Sequence, residues 1–516
     1  MRSLLIHNAR IFGKPDRSAA LCENGVFKAF LRESDAENLD CEGRLDAQGN
    51  LLLPSFFDSH IHLSEYGLRL NRLNLNGKTL DESLALIRQK VDQTPKGEWI
   101  SGGGWHKTYF KDFPTRKLLD AISTEHFIAL SSQDFHAVWA NSPALDLLDP
   151  NAFKIEELPR DETDKPLGLA LERAALKLAS LATPSTTELA NAIGLAQERL
   201  LSFGVTDAFS IERADALAAF AALGDALKLR LHLAIYLDSL SDAREFFRTH
   251  RVKNLSLNAV KLFIDGSLGA ETCAVLEPFE NSRNFGIDLY ADSDLVQIFK
   301  MIEREGFNVA VHAIGDRAVR RALNAFESIG ASPRSRFRHR IEHAQMIHPD
   351  DLPRFAKLGV VASMQPVHIR EDIATARRLL GARQSELYRF KSLLESGATV
   401  VFGSDAPIET PNVAEGLYYA VERRDKEGNS WFENERVSFE EALRAYSETP
   451  NVLMNESQKG KLDVGCAANA VIVPRDFARD SNALLSRQSV LATIVAGEVL
   501  FESGELPPCQ RSNALR

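Results

Sequence analysis

Apolar residues in this chain follow two patterns. From about residue 55 to about 454, short runs rich in β-branched residues alternate with stretches whose apolar positions recur at helical spacing, as βαβ units and a parallel sheet require. Eight runs read as strands: LLPSFFDSHIH, FGVTDAFS, LRLHLAIYL, NAVKLFID, FNVAVHAIG, RHRIEHA, GVVASMQP and ATVVFGSD. The segments between them include AVRRALNAFESIG, with helical periodicity, and DDLPRFAKLG, which ends on a glycine as helix C-termini often do. Eight such strands predict an α/β fold built on a (β/α)8 TIM barrel. The two ends of the chain alternate apolar and polar residues in short pieces (LLIHNARIF, GVFKAF, GRLDAQG; then ANAVIVPRD and SVLATIVAGEVLFESGE), which predicts strands and turns. A small β-sandwich formed from both termini, residues 1–54 and 455–516, is therefore expected beside a barrel over 55–454. The stretch at about 75–200 is too long for a βα connection. With its own strand-like and helical pieces (GEWISGGGWHKTYF, HFIALSSQDFHAVWANSPAL, TTELANAIGLAQERLL), it reads as an insertion after strand 1 that folds against the barrel mouth.

Composition narrows the class without naming a reaction. The chain has 516 residues, 44% of them hydrophobic and 26% charged, ordinary for a globular protein. A net charge of −10 with no basic stripe argues against nucleic acid as a partner. No window approaches the 18 or so uncharged apolar residues of a membrane span. The N-terminal MRSLLIHNARIFGK has too short an apolar run for a signal-peptide core. Five scattered cysteines without a CxxC pair fit reduced thiols. These features predict a cytoplasmic protein.

The chemistry lies at the strand ends. DSHIHL carries His60 and His62, two residues apart and so on one side of a strand. His312 ends VAVHAIG, His343 ends RIEHA, and Asp405 ends TVVFGSD, each after an apolar run. An isolated HxH is weak evidence, and a lone buried histidine is usually a satisfied core residue. Four strand-end histidines with a strand-end acid are hard to explain by packing, because burying them without a metal or partners costs roughly several kcal/mol per group. The C-terminal ends of barrel strands are where such folds gather catalytic groups. Lys261, inside the apolar NAVKLFID, must snorkel, pair with an acid such as Asp265, or be altered chemically, for instance to a carbamate made with carbon dioxide that could bridge two cations. The set predicts one or two divalent ions, zinc foremost, that lower the pKa of a bound water to about 7 so that hydroxide is available. Asp405 is expected to take a proton from this water and return it to a leaving nitrogen.

The ordered motifs DSHIHL, VKLFIDGSLG, VHAIGD, IEHAQ and GSDAP resemble those of the amidohydrolase superfamily, closest to the branch that includes N-substituted formamide deformylase. GGGWHKTYF with Trp105, DFHAVWANSPAL with His136 and Asn141, KPLGLALERA with Gly168 and Glu172, GVVASMQP with Gln365, and VAGEVLFESG are similar to the same branch. The resemblance covers nearly the whole chain. It implies a barrel beside a small β-sandwich, His60 and His62 on a first metal, His312 and His343 on a second, Lys261 as a carboxylated bridge, and Asp405 as both ligand and acid/base. Three features depart from the usual pattern: His106 stands where an acid is common, Asn469 where an aspartate is common, and QPVHIRED places His368 and Arg370 near the barrel mouth.

The expected activity is metal-dependent hydrolysis of a non-peptide carbon–nitrogen bond in a small-molecule amide, by metal-activated hydroxide. A deaminase or an ester or lactone hydrolase on the same metal site, and a non-catalytic scaffold of the same fold, are the alternatives; Lys261 weighs against a single-metal deaminase, and the complete ligand set against the scaffold. Trp105, His136, Glu172 and Gln365 are expected to line the substrate pocket, although packing explains Trp105 equally well. Asp316, at the start of a helix, is expected to be an N-cap. A homodimer is expected only by analogy with the superfamily.

Overall fold

The computed structural model describes residues 3–106, 109–110, 114–132, 137–425, 427–486 and 489–511. The eight apolar runs form one parallel sheet: β1 (Phe56–Ile61), β2 (Val205–Glu212), β3 (Arg230–Tyr236), β4 (Leu255–Phe263), β5 (Asn308–Ala313), β6 (Arg340–His343), β7 (Val361–Met364) and β8 (Val400–Phe402). Each strand pairs with the next in chain order, and helices fill most of the connections. The ring closes just past β8. Asp405 N–H donates to the His60 carbonyl (2.6 Å), His62 N–H donates to the Ala406 carbonyl (2.9 Å), and Ile61 and Ala406 form a parallel bridge. This is the (β/α)8 barrel that the hydrophobic periodicity predicts. Most strands are buried along their whole length, which is why they read as continuous apolar runs rather than alternating ones. Phe57, Phe209, Ile211, Ala234, Ala259 and Ala310, from five successive strands, pack together in one cluster.

The termini form two five-stranded sheets. One has the order Gln510–Arg511, Gly43–Asp46, Ser3–His7, Ala19–Glu23, Val26–Leu31; the other has Arg10–Ile11, Leu51–Pro54, Ala470–Val473, Ala492–Val495, Glu498–Glu502. Leu4, Ile6, Cys22, Phe27 and Leu45 from the first share a core with Leu52, Ala470, Ile472 and Ile494 from the second. Leu5, between Leu4 and Ile6, packs with Ala19, Ala36 and Cys41 instead. Asn469, the second departure, belongs here: its Oδ1 accepts the Ala496 N–H (2.8 Å), so it closes a turn of the sandwich.

Residues 64–195 make a compact unit of their own. Its sheet runs Leu169–Leu171, Ala137–Ala140, Phe127–Ser132, Trp99–Trp105, Leu73–Asn74. Helix Leu80–Gln93 starts with a capping box between Thr79 and Glu82. One apolar cluster holds Leu75, Ile87, Ile100, Trp105 and Trp139, and a second holds Val138, Ala140, Leu145 and Leu178.

One local expectation needs correction. Helix Asp316–Ser328 has Gly315, not Asp316, at its N-cap. Asp316 is the first helical residue, and its Oδ1 accepts the N–H groups of Leu276 (2.8 Å) and Arg317 (2.9 Å). The carboxylate ties the preceding loop to the helix start, a structural role one residue away from the one expected.

Candidate metal centre

Burial and backbone shape aim the strand ends inward. His60 lies on β1, His343 is the last residue of β6, and Asp405 lies three residues past β8. His343 and Asp405 have φ of +71° and +59°, left-handed conformations that cost a non-glycine residue of order 1 kcal/mol and persist only where the surroundings enforce them. Asp58 supplies part of that enforcement. Its Oδ1 accepts the N–H groups of His60 (3.1 Å) and Ser404 (3.0 Å), and its Oδ2 accepts the Ser404 hydroxyl (2.6 Å), locking β1 to the segment after β8. Gly403 makes this approach feasible, since a Cβ there would lie 2.4 Å from the His60 nitrogen.

Asp405 Oδ1 lies 3.2 Å from His60 Nε2 and 3.3 Å from His62 Nε2, and the three side chains offer ligand atoms all within 4.8 Å of one another. The rings of His60 and His343 are 4.9 Å apart, and those of His343 and His312 4.6 Å. Each ring is turned by a partner on its other nitrogen. His60 Nδ1 meets Glu342 Oε2 (2.6 Å), His343 Nδ1 meets Gln365 Oε1 (2.9 Å), and His312 Nε2 meets the Gly266 carbonyl (3.0 Å). Such outer partners set which ring nitrogen is left as a ligand. Glu342 is itself clamped by Arg340, whose guanidinium also donates to the Ser363 hydroxyl (2.6 Å). Lys261, 1% exposed, projects its ammonium over the Phe263 ring, 4.8 Å from the centroid.

Among the described residues, His60 Nε2, His312 Nδ1 and Lys261 Nζ are buried without a hydrogen-bond partner. Buried polar atoms are normally paired. The two orphaned imidazole nitrogens beside a carboxylate form a donor set that a divalent cation satisfies, and Lys261 Nζ would join it only as an altered, anionic group. Lys261 is therefore not paired with Asp265, whose carboxylate instead accepts the N–H groups of Ala274, Ile314 and Gly315.

Electrostatics agree with a cation-ready site. Burial pushes His312 down to about 3, helped by Lys261, and holds His343 well below the usual imidazole range. Burial also lowers His62, against the pull of Asp405. These rings are neutral near pH 7, the form that ligates metal. His60 differs: burial alone would lower it, but Asp405 and Glu342 together raise it. Asp405 is held far below the ordinary carboxylate range, because contacts with His60 and His62 outweigh its burial. Burial lowers Lys261 to about 8, with Glu342 and Asp405 opposing.

The six candidate ligands His60, His62, Lys261, His312, His343 and Asp405 all line one cavity of about 390 Å³, together with Phe263, Leu268, Ile314, Gln345, His368, Asp372 and Ile408. Gln365 is not among the lining residues. It is 1% exposed and stands behind His343, so its position fits orienting that ring rather than contacting substrate. Trp105 packs in the core of the second unit, where its indole N–H donates to the Leu130 carbonyl (2.7 Å) and its ring stacks on Phe110; packing accounts for it. Glu172 is an exposed residue with φ +48° ahead of helix Arg173–Leu181. His136 lies outside the described residues. Of the mouth residues, His368 lines the cavity, whereas Arg370 is occupied by Glu409 and Glu415. The reading of the sequence did not single out Asp58, Arg340, Glu342 or Asp372. A signal existed for Glu342, an acid in RIEH, a segment read as a barrel strand, and so obliged to find a buried partner.

A closed (β/α)8 barrel whose strand ends gather histidines, a lysine and an aspartate around one cavity has the architecture of a metal-dependent hydrolase. Residues 44–501 match the family model described as "Amidohydrolase family", and the chain belongs to that family. It is 30% identical to Protein LONG AFTER FAR-RED 3 of Arabidopsis thaliana, over 97% of this chain and 88% of that protein. It is 27% identical to N-substituted formamide deformylase of Arthrobacter pascens, over 97% and 99%. Among solved structures, an uncharacterized metal-dependent hydrolase from Pyrococcus furiosus superposes with a TM-score of 0.76 at 28% identity, covering 92% of this chain and all of that one. No helix among the described residues is long and apolar enough to cross a membrane.

Proposed function

We propose that this protein hydrolyses a non-peptide carbon–nitrogen bond, an amide, in a small molecule, with Asp405 as general base and then general acid. The observation that carries this reading is the meeting of Asp405 Oδ1 with His60 Nε2 and His62 Nε2 (3.2 and 3.3 Å), with two further buried, unpartnered nitrogens, His312 Nδ1 and Lys261 Nζ, lining the same cavity of small-ligand size. The donor set fits divalent cations, zinc foremost. His60 Nε2, His62 Nε2 and Asp405 would hold one ion, and His312 Nδ1 and His343 Nε2 a second. Bound there, such ions lower the pKa of water and polarise a carbonyl oxygen.

The chain's own groups supply the rest. With Oδ1 turned to the two histidines, Asp405 leaves Oδ2 to take a proton from water as the oxygen attacks the carbonyl carbon. The same oxygen then delivers the proton to the nitrogen as the C–N bond breaks, yielding a carboxylic acid and an amine. Lys261 near 8 has an appreciable neutral fraction at neutral pH. Its amine can add carbon dioxide, losing one proton, to become a carbamate whose two oxygens join the ligand set. Glu342 and Gln365 hold the rings of His60 and His343 in register. The cytoplasm suits the four buried cysteines Cys22, Cys41, Cys273 and Cys466, which form no disulfide among the described residues.

The test is metal analysis of protein purified without chelator, beside Lys261→Ala, followed by a panel of small amides, esters and amino-heterocycles. About two ions per chain, fewer in the variant, with amide turnover abolished by chelation, is the expected result. One ion unchanged in the variant would move the reading to a deaminase, and turnover restricted to esters to an esterase. No metal and no turnover would leave a scaffold.

A further inference from the structure

One imidazole outside the candidate ligand set reaches the same centre. His368 follows β7 in the 3-10 turn Pro366–His368, immediately before helix Ile369–Leu380. Its Nε2 lies 3.8 Å from Asp405 Oδ2, beyond hydrogen-bond range, and is buried without a hydrogen-bond partner among the described residues. The ring lies over that of His343 at 6.4 Å and lines the cavity.

The helix start that carries it is held on both sides. Asp372, one turn further on, accepts hydrogen bonds from Gln345 Nε2 (2.7 Å) and the Tyr388 hydroxyl. Arg370 pairs with Glu409 and with Glu415 (3.2 Å). The His368 N–H donates to the Gln365 carbonyl (3.2 Å). These contacts fix the backbone from which the His368 side chain projects. Its ring lines a cavity whose wall includes the apolar Phe263, Leu268, Ile314 and Ile408 beside the polar Ser267, Gln345 and Asp372, and the apolar part of that wall strengthens a hydrogen bond made there.

A carbonyl group within reach of Asp405 Oδ2 is also within reach of an atom 3.8 Å away. We propose that His368 is a further catalytic residue, donating a hydrogen bond from Nε2 to the substrate carbonyl oxygen and to the negative charge that develops on it. This rests on the amide-hydrolase reading for its chemistry, but its test does not need turnover.

The probe is methylphosphonate, a tetrahedral anion, titrated calorimetrically into metal-loaded full-length protein. Wild type binds. His368→Ala weakens binding about 30-fold or more, and His368→Gln, which restores an N–H donor, recovers part of the loss, with metal content per chain unchanged. Should the alanine variant fail to fold, His368→Asn carries the same expectation, its amide being too short to reach. With any amide found to be a substrate, kcat falls roughly 100-fold while KM stays within about threefold. Equal affinity in wild type and His368→Ala would overturn the proposal, as would no binding to metal-loaded wild type. Loss of metal in the variant would also overturn it, by assigning His368 to the ions. Absence of turnover on every amide would sink the reading above, while the phosphonate result would still decide the role of His368.

Discussion

The two ends of the barrel bury similar residues and treat them in opposite ways. At the N-terminal end, Lys459 Nζ donates to Asp207 Oδ1 (2.8 Å) and Glu456 Oε2 (2.6 Å), and Arg230 Nε donates to Glu456 Oε1 (2.8 Å). His232 Nδ1 meets the Ser256 hydroxyl (3.1 Å) nearby. Each charge has its complement, and Lys459 titrates above its ordinary range: burial lowers it, but Asp207 and Glu456 more than offset this. At the C-terminal end, Lys261 is more deeply buried, has no hydrogen-bond partner, and is pushed down to about 8. One lysine is built into a closed ionic network, and the other is held ready for something the chain does not supply. In this fold, polar residues at the bottom of the barrel serve stability and those at the top serve chemistry. The contrast teaches that charge and burial alone do not mark a functional site, and neither does a single unmet nitrogen, since His232 Nε2 is also buried without a hydrogen-bond partner; several such nitrogens meeting a carboxylate in one cavity do.

The comparison can be broken from either end. The largest effect belongs to Asp405→Asn, expected to lower kcat by about 10³-fold while the protein keeps its metal, since general acid/base groups contribute about 10²–10⁴-fold. Full activity in that variant would remove Asp405 from the chemistry. At the opposite end, Lys459→Met leaves the buried Asp207 carboxylate uncompensated and should cost about 3 kcal/mol of stability in denaturant titrations. Activity per folded molecule should stay near wild type. A Lys459→Met protein that unfolds normally but is inactive would erase the distinction between the two ends.

A smaller effect is expected from Gln365→Leu, which removes the acceptor on His343 Nδ1 and should weaken metal affinity about 10–100-fold, measured by competition with a chromophoric chelator. The smallest concerns pH. Burial pushes His232 down to about 4 from the ordinary imidazole value of 6.5. Because the folded state resists protonation more than the unfolded one, this histidine's contribution is complete above pH 6.5 and is lost as pH falls from there towards 4. The loss is roughly 1 kcal/mol by pH 5.5, and His232→Asn should flatten that part of the stability profile.

Much of the barrel was legible because parallel strands covered on both faces are written as continuous apolar runs. All eight runs read from the sequence are strands of one sheet, and the six residues singled out at their ends share one cavity. The pocket residues were less legible. Trp105 and Gln365 look alike in a motif, a large or polar side chain beside a strand end. One is held in a core by its indole bond to Leu130, the other lies behind a histidine. Glu342 was visible as a buried acid, but its target, His60, is 282 residues away. Nothing local reveals such a partner.

Periodicity and strand-end chemistry, then, are properties of the sequence by itself, because burial pattern and backbone geometry act over a few residues at a time. They determined that this chain would close a (β/α)8 barrel and where along it the histidines, Lys261 and Asp405 would fall. Only the tertiary structure decided which nitrogen of each ring is spent on a neighbour and which is left open. It also left Lys261 without the aspartate four residues away and brought His368 to within 3.8 Å of Asp405. Those outcomes depend on distances between segments far apart in sequence, which exist only once the barrel has closed.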